Sequence, residues 1–115
     1  MKRVRVILSP EAEEVYEYLV KQAPKSKIER SILNAIKKKT QLIKLNFHYG
    51  EPIGKSKIPI EYTKKYDISN LFWVELPYNW RMLYTLKAGE TIIEIIAFVL
   101  DILDHKAYDK KFGYK

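Results

Sequence analysis

The chain has no cysteine, and only two histidines and two methionines among its 115 residues. Without thiols it forms neither disulfides nor thiolate metal sites. With His48 and His105 alone, a zinc cluster would need carboxylates for most of its ligands. Long apolar runs are also lacking: the longest, Ile92 to Leu100, is broken by Glu94, well short of the roughly 18 residues a membrane helix requires. No basic segment followed by an apolar stretch opens the chain, so the sequence predicts neither secretion nor membrane spanning. A cytoplasmic location is expected, with stability supplied by packing and with no metal or cofactor.

Against these absences stands a surplus of positive charge. Lys and Arg number 21 against 14 Asp and Glu, a formal +7, which on so short a chain points to a polyanionic partner such as nucleic acid, or to an acidic protein. A solvated, lysine-rich surface is the competing reading. The hydrophobic fraction of 47% suffices for one core, and the length suits one domain spanning residues 1–115.

The segment Arg3-Val4-Arg5-Val6-Ile7-Leu8 alternates basic and apolar residues before becoming wholly apolar, which reads as a strand entering a sheet. Ser9-Pro10 then opens a helix to about Lys21: serine accepts bonds from free amides, proline suits the first helical position, and Glu11, Glu13 and Glu14 complement the dipole. Ser26-Lys27-Ile28-Glu29 is a capping box for a second helix, which the apolar spacing carries through Ile43 until Gly50-Glu51-Pro52 ends it. These two helices are expected antiparallel on one sheet face. Pro52 to Asn70 reads as a connector with one short helical turn around Glu61 to Lys65. Leu71 to Leu76, Trp80 to Lys87 and Thr91 to Leu100 are β-rich runs separated by turn signals and predict an antiparallel meander. Asp104 is placed to cap one or two closing helical turns.

The expected fold is therefore α+β: an N-terminal strand, an antiparallel helical hairpin, a three-stranded antiparallel meander completing one sheet, and a short C-terminal helical turn. That order of elements is found in the RelE/ParE toxins. The residues are similar too: Asn70-Leu71-Phe72-Trp73-Val74-Glu75-Leu76-Pro77, then Trp80-Arg81-Met82-Leu83-Tyr84, then an apolar strand and Asp104-His105-Lys106-Ala107-Tyr108. This resembles the family's pattern of a strand, an aromatic-Arg-x-x-Tyr strand and a terminal His-x-x-Tyr. The closing Asp109-Lys110-Lys111-Phe112-Gly113-Tyr114 resembles the ending of archaeal members. The resemblance implies an RelE-like domain that cleaves messenger RNA, typically on the ribosome, and that a paired antitoxin, a short acidic or amphipathic protein, holds inactive; the ParE branch targets DNA gyrase instead. It carries Arg81, His105 and Tyr108 over as catalytic residues. The strand preceding Arg81 departs from the characterised bacterial enzyme, because Phe72, Trp73, Val74 and Glu75 stand where that enzyme has lysines.

Metal-free RNA cleavage requires the 2′-hydroxyl to lose a proton, the phosphorane to meet positive charge and the 5′-oxygen to gain a proton. Arginine offers a cationic fork for phosphate oxygens, histidine titrates near neutrality, and tyrosine stacks on a base or donates a proton. His105 and Tyr108, three apart, share a face of a helical turn that Phe112 extends. In a strand Arg81 lies on the side of Leu83 and Thr85, opposite Trp80, Met82 and Tyr84, so its role requires the C-terminal turn to fold over that side. Lys55, Lys57, Lys106, Lys110 and Lys111 are candidate RNA contacts, and Lys37-Lys38-Lys39 is either a phosphate-contacting patch or a solvated helix flank. Taken without the resemblance, Arg81 reads as a strand arginine, Tyr108 with Phe112 as a pin for the C-terminus, and His48 as structural. A non-catalytic member that binds an antitoxin or another protein is the alternative, favoured by the missing strand lysines and by Glu75.

Overall fold

Alternation of basic and apolar residues makes Arg3–Leu8 the first strand, β1, in the computed structural model, which describes residues 2–113. Tyr114, the last residue of the closing motif, lies outside the described residues. Helix α1 spans Pro10–Gln22. Its cap does more than start the helix, because the buried Ser9 Oγ accepts the Ala12 N–H at 3.0 Å and donates to the Leu100 carbonyl at 2.7 Å, tying the helix start to the sheet. Helix α2, Lys27–Leu45, begins at the expected box: Ser26 Oγ accepts the Glu29 N–H at 3.5 Å and bonds the Glu29 carboxylate. Leu19, Ile32, Ile36 and Ile43 are fully buried, each worth about 1.5–3 kcal/mol of apolar transfer.

The second helix stops five residues before the expected Gly50. At Asn46 the backbone turns extended (φ −148°, ψ 102°), and the Asn46 side-chain oxygen accepts the His48 N–H at 3.1 Å. Such a local side-chain bond offers the backbone an alternative to helix. Glu51–Pro52 then forms a two-residue edge strand, β2, paired with Trp73 and Phe72, a place where proline is tolerated. The connector contains a 3₁₀ turn at Lys55–Lys57 and helix α3 at Ile60–Tyr66, where a helical turn was expected.

The meander is formed by β3, Phe72–Leu76, β4, Trp80–Ala88, and β5, Glu94–Leu103. All five strands make one mixed sheet in the order β1-β5-β4-β3-β2, with β1 parallel to β5 and the other pairs antiparallel. β5 begins three residues later than its apolar run predicted. Ile92 and Ile93 are exposed in the preceding loop, so hydrophobicity there did not mean burial. The strand instead continues to Leu103 across a bulge.

That bulge shapes both faces of the sheet. Leu83 pairs with Asp101 but Tyr84 pairs with Val99, leaving Leu100 as an extra residue. Val99 and Ile102 therefore both face the helical hairpin, while Leu100 and Asp101 both turn to the opposite face. The hairpin side holds the main core, including Phe72, Val74, Met82 and Tyr84. The other side holds a second core of Tyr62, Ile68, Leu71, Leu83, Leu100 and Tyr108.

Candidate functional site

The second core is roofed by helix α4, His105–Phe112. Asp104 Oδ1 accepts the Ala107 N–H at 2.8 Å, as its position before the helix predicted, and Gly113 ends the helix at φ 76°, a left-handed conformation glycine adopts without steric cost. Tyr108 is buried with its ring stacked on Phe112 at 4.4 Å between centroids. This is the closure over the Arg81 side of β4 that the strand alternation required.

Arg81 lies where that roof meets the sheet. Its guanidinium carbon is 4.5 Å from the Trp73 ring centroid and 4.3 Å from that of Tyr108. Trp73 pairs with Leu83 and Glu75 with Arg81, which makes Trp73 the diagonal same-face neighbour of the arginine and brings an indole within reach. Two ring contacts at about 0.5–2 kcal/mol each hold the fork in place. Among the described residues no carboxylate forms an ion pair with Arg81. The result is a half-buried cation, oriented by aromatic rings, with exposed Glu75 opposite it in register but not ion-paired to it, whose N–H edge suits a phosphate or carboxylate.

His105 sits at the solvent side of α4, 59% exposed, with Nε2 at 3.1 Å from Asp109 Oδ2. The helix places it one turn from Tyr108 and pairs it with a carboxylate, but the structure gives it no contact with Arg81. Arg81 and Tyr108 are thus brought together, and His105 shares the short helix α4 with Tyr108 but is not brought to Arg81. Lys106 and Lys110 are exposed on α4, and Lys55 and Lys57 are exposed on the 3₁₀ turn.

Lys111, also a candidate RNA contact, is engaged within the fold. Its ammonium lies 3.4 Å from both Glu61 Oε2 and Asp101 Oδ2, and 5.1 Å from the Tyr62 ring centroid. It joins α4 to α3 and β5, so its charge is already spent on two carboxylates. Asp101 also accepts the Tyr62 hydroxyl at 2.6 Å. Burial pushes the Tyr62 hydroxyl well above the ordinary tyrosine range, and the Asp101 carboxylate reinforces the shift. Beside this network Glu11 at the start of α1 binds Lys65 and Tyr66, and those two hydrogen bonds lower its carboxyl to about 2. These polar partners were not singled out in the sequence, where Glu61 and Asp101 stand 50 and 10 positions from Lys111. The one legible signal was Asp101 interrupting an apolar strand.

His48 lies between Phe47 and Phe72, with ring centroids at 4.5 and 5.7 Å, on the hairpin side of the sheet and away from α4. Among the described residues no helix is long and apolar enough to cross a membrane. No protein-family model, curated protein or solved structure matches the chain.

Proposed function

We propose that this protein is an RelE-like toxin: an endoribonuclease that cleaves messenger RNA on the ribosome without a metal, works in the cytoplasm, and is held inactive by a cognate antitoxin. The single observation that carries this reading is Arg81, held against the rings of Trp73 and Tyr108 under α4 with no ion pair to a carboxylate among the described residues. The order of strand, helical hairpin, meander and closing helix supports the same family.

In this reading the Arg81 fork binds the non-bridging oxygens of the scissile phosphate and opposes the charge that builds on the phosphorane. Because its planar group is fixed between two rings, little reorganisation accompanies that step. The 2′-oxygen bonds to phosphorus as its proton leaves to a base, and the P–O5′ bond breaks as the 5′-oxygen takes a proton from solvent water. With Nε2 turned to Asp109, the Nδ1 of His105 carries the lone pair that serves as base, in the manner of a base oriented by a carboxylate. Tyr108, buried beneath α4, positions the arginine. Lys55, Lys57, Lys106 and Lys110 supply charge to neighbouring phosphates; Lys111 acts by fixing α4.

A second reading, a non-catalytic protein of the same fold that binds an antitoxin or another protein, draws on the exposure of His105 and its lack of contact with Arg81. The products separate the two. Incubated with translating ribosomes in EDTA, the protein should leave fragments bearing 2′,3′-cyclic phosphate and 5′-hydroxyl ends. Intact message on competent ribosomes would leave only the binding role.

A further inference from the structure

We propose that the tip of the β3–β4 hairpin is a second contact for single-stranded RNA, at which a nucleobase stacks on Tyr78 and Lys38 holds an adjoining phosphate. The proposal rests on the RNA-directed reading above and extends it to a site outside the Arg81 cluster.

The backbone of the tip is the first argument. Tyr78 has φ 60° and ψ 32° and Asn79 has φ 61°, and the Trp80 N–H bonds the Pro77 carbonyl. Leu76 pairs with Trp80, so the loop has three residues, and positive φ at two of them in succession is a conformation that favours Asn and Gly. Asn79 tolerates that conformation, but a tyrosine adopts it against a steric penalty that glycine does not meet. Burial does not repay the penalty, since Tyr78 is 54% exposed. An unfavourable backbone geometry that presents a flat ring to solvent suits binding better than folding.

The second argument is what stands beside the ring. A hollow of about 440 Å³ separates the tip from α2, and Ala35, Lys38, Lys39, Pro77 and Tyr78 border it. Lys39 is engaged, with Nζ at 3.1 Å from the Tyr49 hydroxyl. Lys38 is exposed, and among the described residues no carboxylate pairs with it. Glu75 also borders the hollow, but it alternates with Val74 and Leu76 and so projects from the Arg81 side of β3, away from α2. An aromatic face beside an unpaired cation is the arrangement that recognises an unstacked base together with its backbone, and a duplex, whose bases are already stacked, does not fit it. Tyr78 lies three residues from Arg81, at most about 10 Å of extended chain, so a strand that passes round the hairpin tip from the α2 face to the α4 face reaches both.

The test is fluorescence anisotropy with a labelled twelve-nucleotide single-stranded RNA, 2′-O-methylated throughout so that cleavage cannot interfere, alongside thermal unfolding of each variant. Tyr78→Gly should weaken binding roughly 5- to 150-fold, the range seen on removing one stacked aromatic, while its Tm stays equal to or above that of the wild type. Tyr78→Phe should bind like the wild type, and Lys38→Ala should reduce the dependence of log K on log salt by about 0.7. Wild-type affinity in Tyr78→Gly, or a Tm lowered by several degrees in that variant, would overturn the proposal, and so would equal binding of a blunt duplex. Loss of binding in Tyr78→Gly without any message cleavage by the wild type would keep this contact and refute the nuclease. Cleavage that needs Arg81 combined with unaltered binding in Tyr78→Gly would do the reverse.

Discussion

Replacing Asp101 with alanine removes the acceptor that the β5 bulge turns into the second core. The Tyr62 side chain is 2% exposed and its hydroxyl has the Asp101 carboxylate as acceptor at 2.6 Å, so the variant leaves a buried donor without an acceptor, at a cost of about 1–3 kcal/mol. Lys111 keeps Glu61 at 3.4 Å, and the lost half of its bridge adds only about 0–1 kcal/mol because that pair is partly solvated. The expected destabilisation is about 1–4 kcal/mol, which at about 4 °C per kcal/mol lowers Tm by roughly 4–16 °C. Urea unfolding should show the midpoint shifted with an unchanged slope, as expected when stability alone changes. Tyr62→Phe removes the donor instead, so the double variant should cost less than the sum of the singles by about 1–2 kcal/mol. A change under about 0.5 kcal/mol in Asp101→Ala, or strict additivity in the double variant, would refute the argument that this pair locks the second core.

The close approach at Gly50 yields another expectation. A Cβ there would stand 2.9 Å from the Tyr84 ring and 3.0 Å from the Trp73 carbonyl, so Gly50→Ala should cost about 1–3 kcal/mol through overpacking, read by chemical denaturation. Glu11 contributes to behaviour in acid. Its folded-state pKa of about 2 lies below the ordinary value of 4.5, so its contribution to stability is complete above pH 4.5 and is lost as pH falls from there towards 2. Thermal unfolding between pH 6 and pH 2 should accordingly fall less steeply for Glu11→Gln than for the wild type.

Much of this architecture could be read from residue order because local chemistry and tertiary packing agree. Ser9-Pro10, Ser26 with Glu29, and Asp104 each cap the helix they announce, and the period-two pattern of β4 correctly put Arg81 on the side that α4 covers. Three features escaped because their causes lie elsewhere in the chain or in a single side chain. The end of α2 depends on an Asn46 bond to His48 that competes with an otherwise adequate helical pattern. The start of β5 is set by pairing with β1 and β4, which leaves Ile92 and Ile93 outside the ladder. Lys111 looks like any C-terminal lysine until Glu61 and Asp101 are folded against it. At the site, Arg81 and Tyr108 were singled out by the resemblance, and only their meeting followed from strand alternation, whereas the second ring on Arg81 comes from Trp73 on the neighbouring strand.

The central claim, that Arg81 is the phosphate-binding group of a metal-free ribonuclease, is tested most directly by the single-turnover rate of message cleavage on translating ribosomes in EDTA, with wild type and a folded Arg81→Ala compared side by side. Removing a donor aimed at charge developing in the transition state costs about 10²–10³ in rate, so the variant, assayed well below its Tm, should be slower by that factor. A folded Arg81→Ala that cleaves at the wild-type rate would contradict the account.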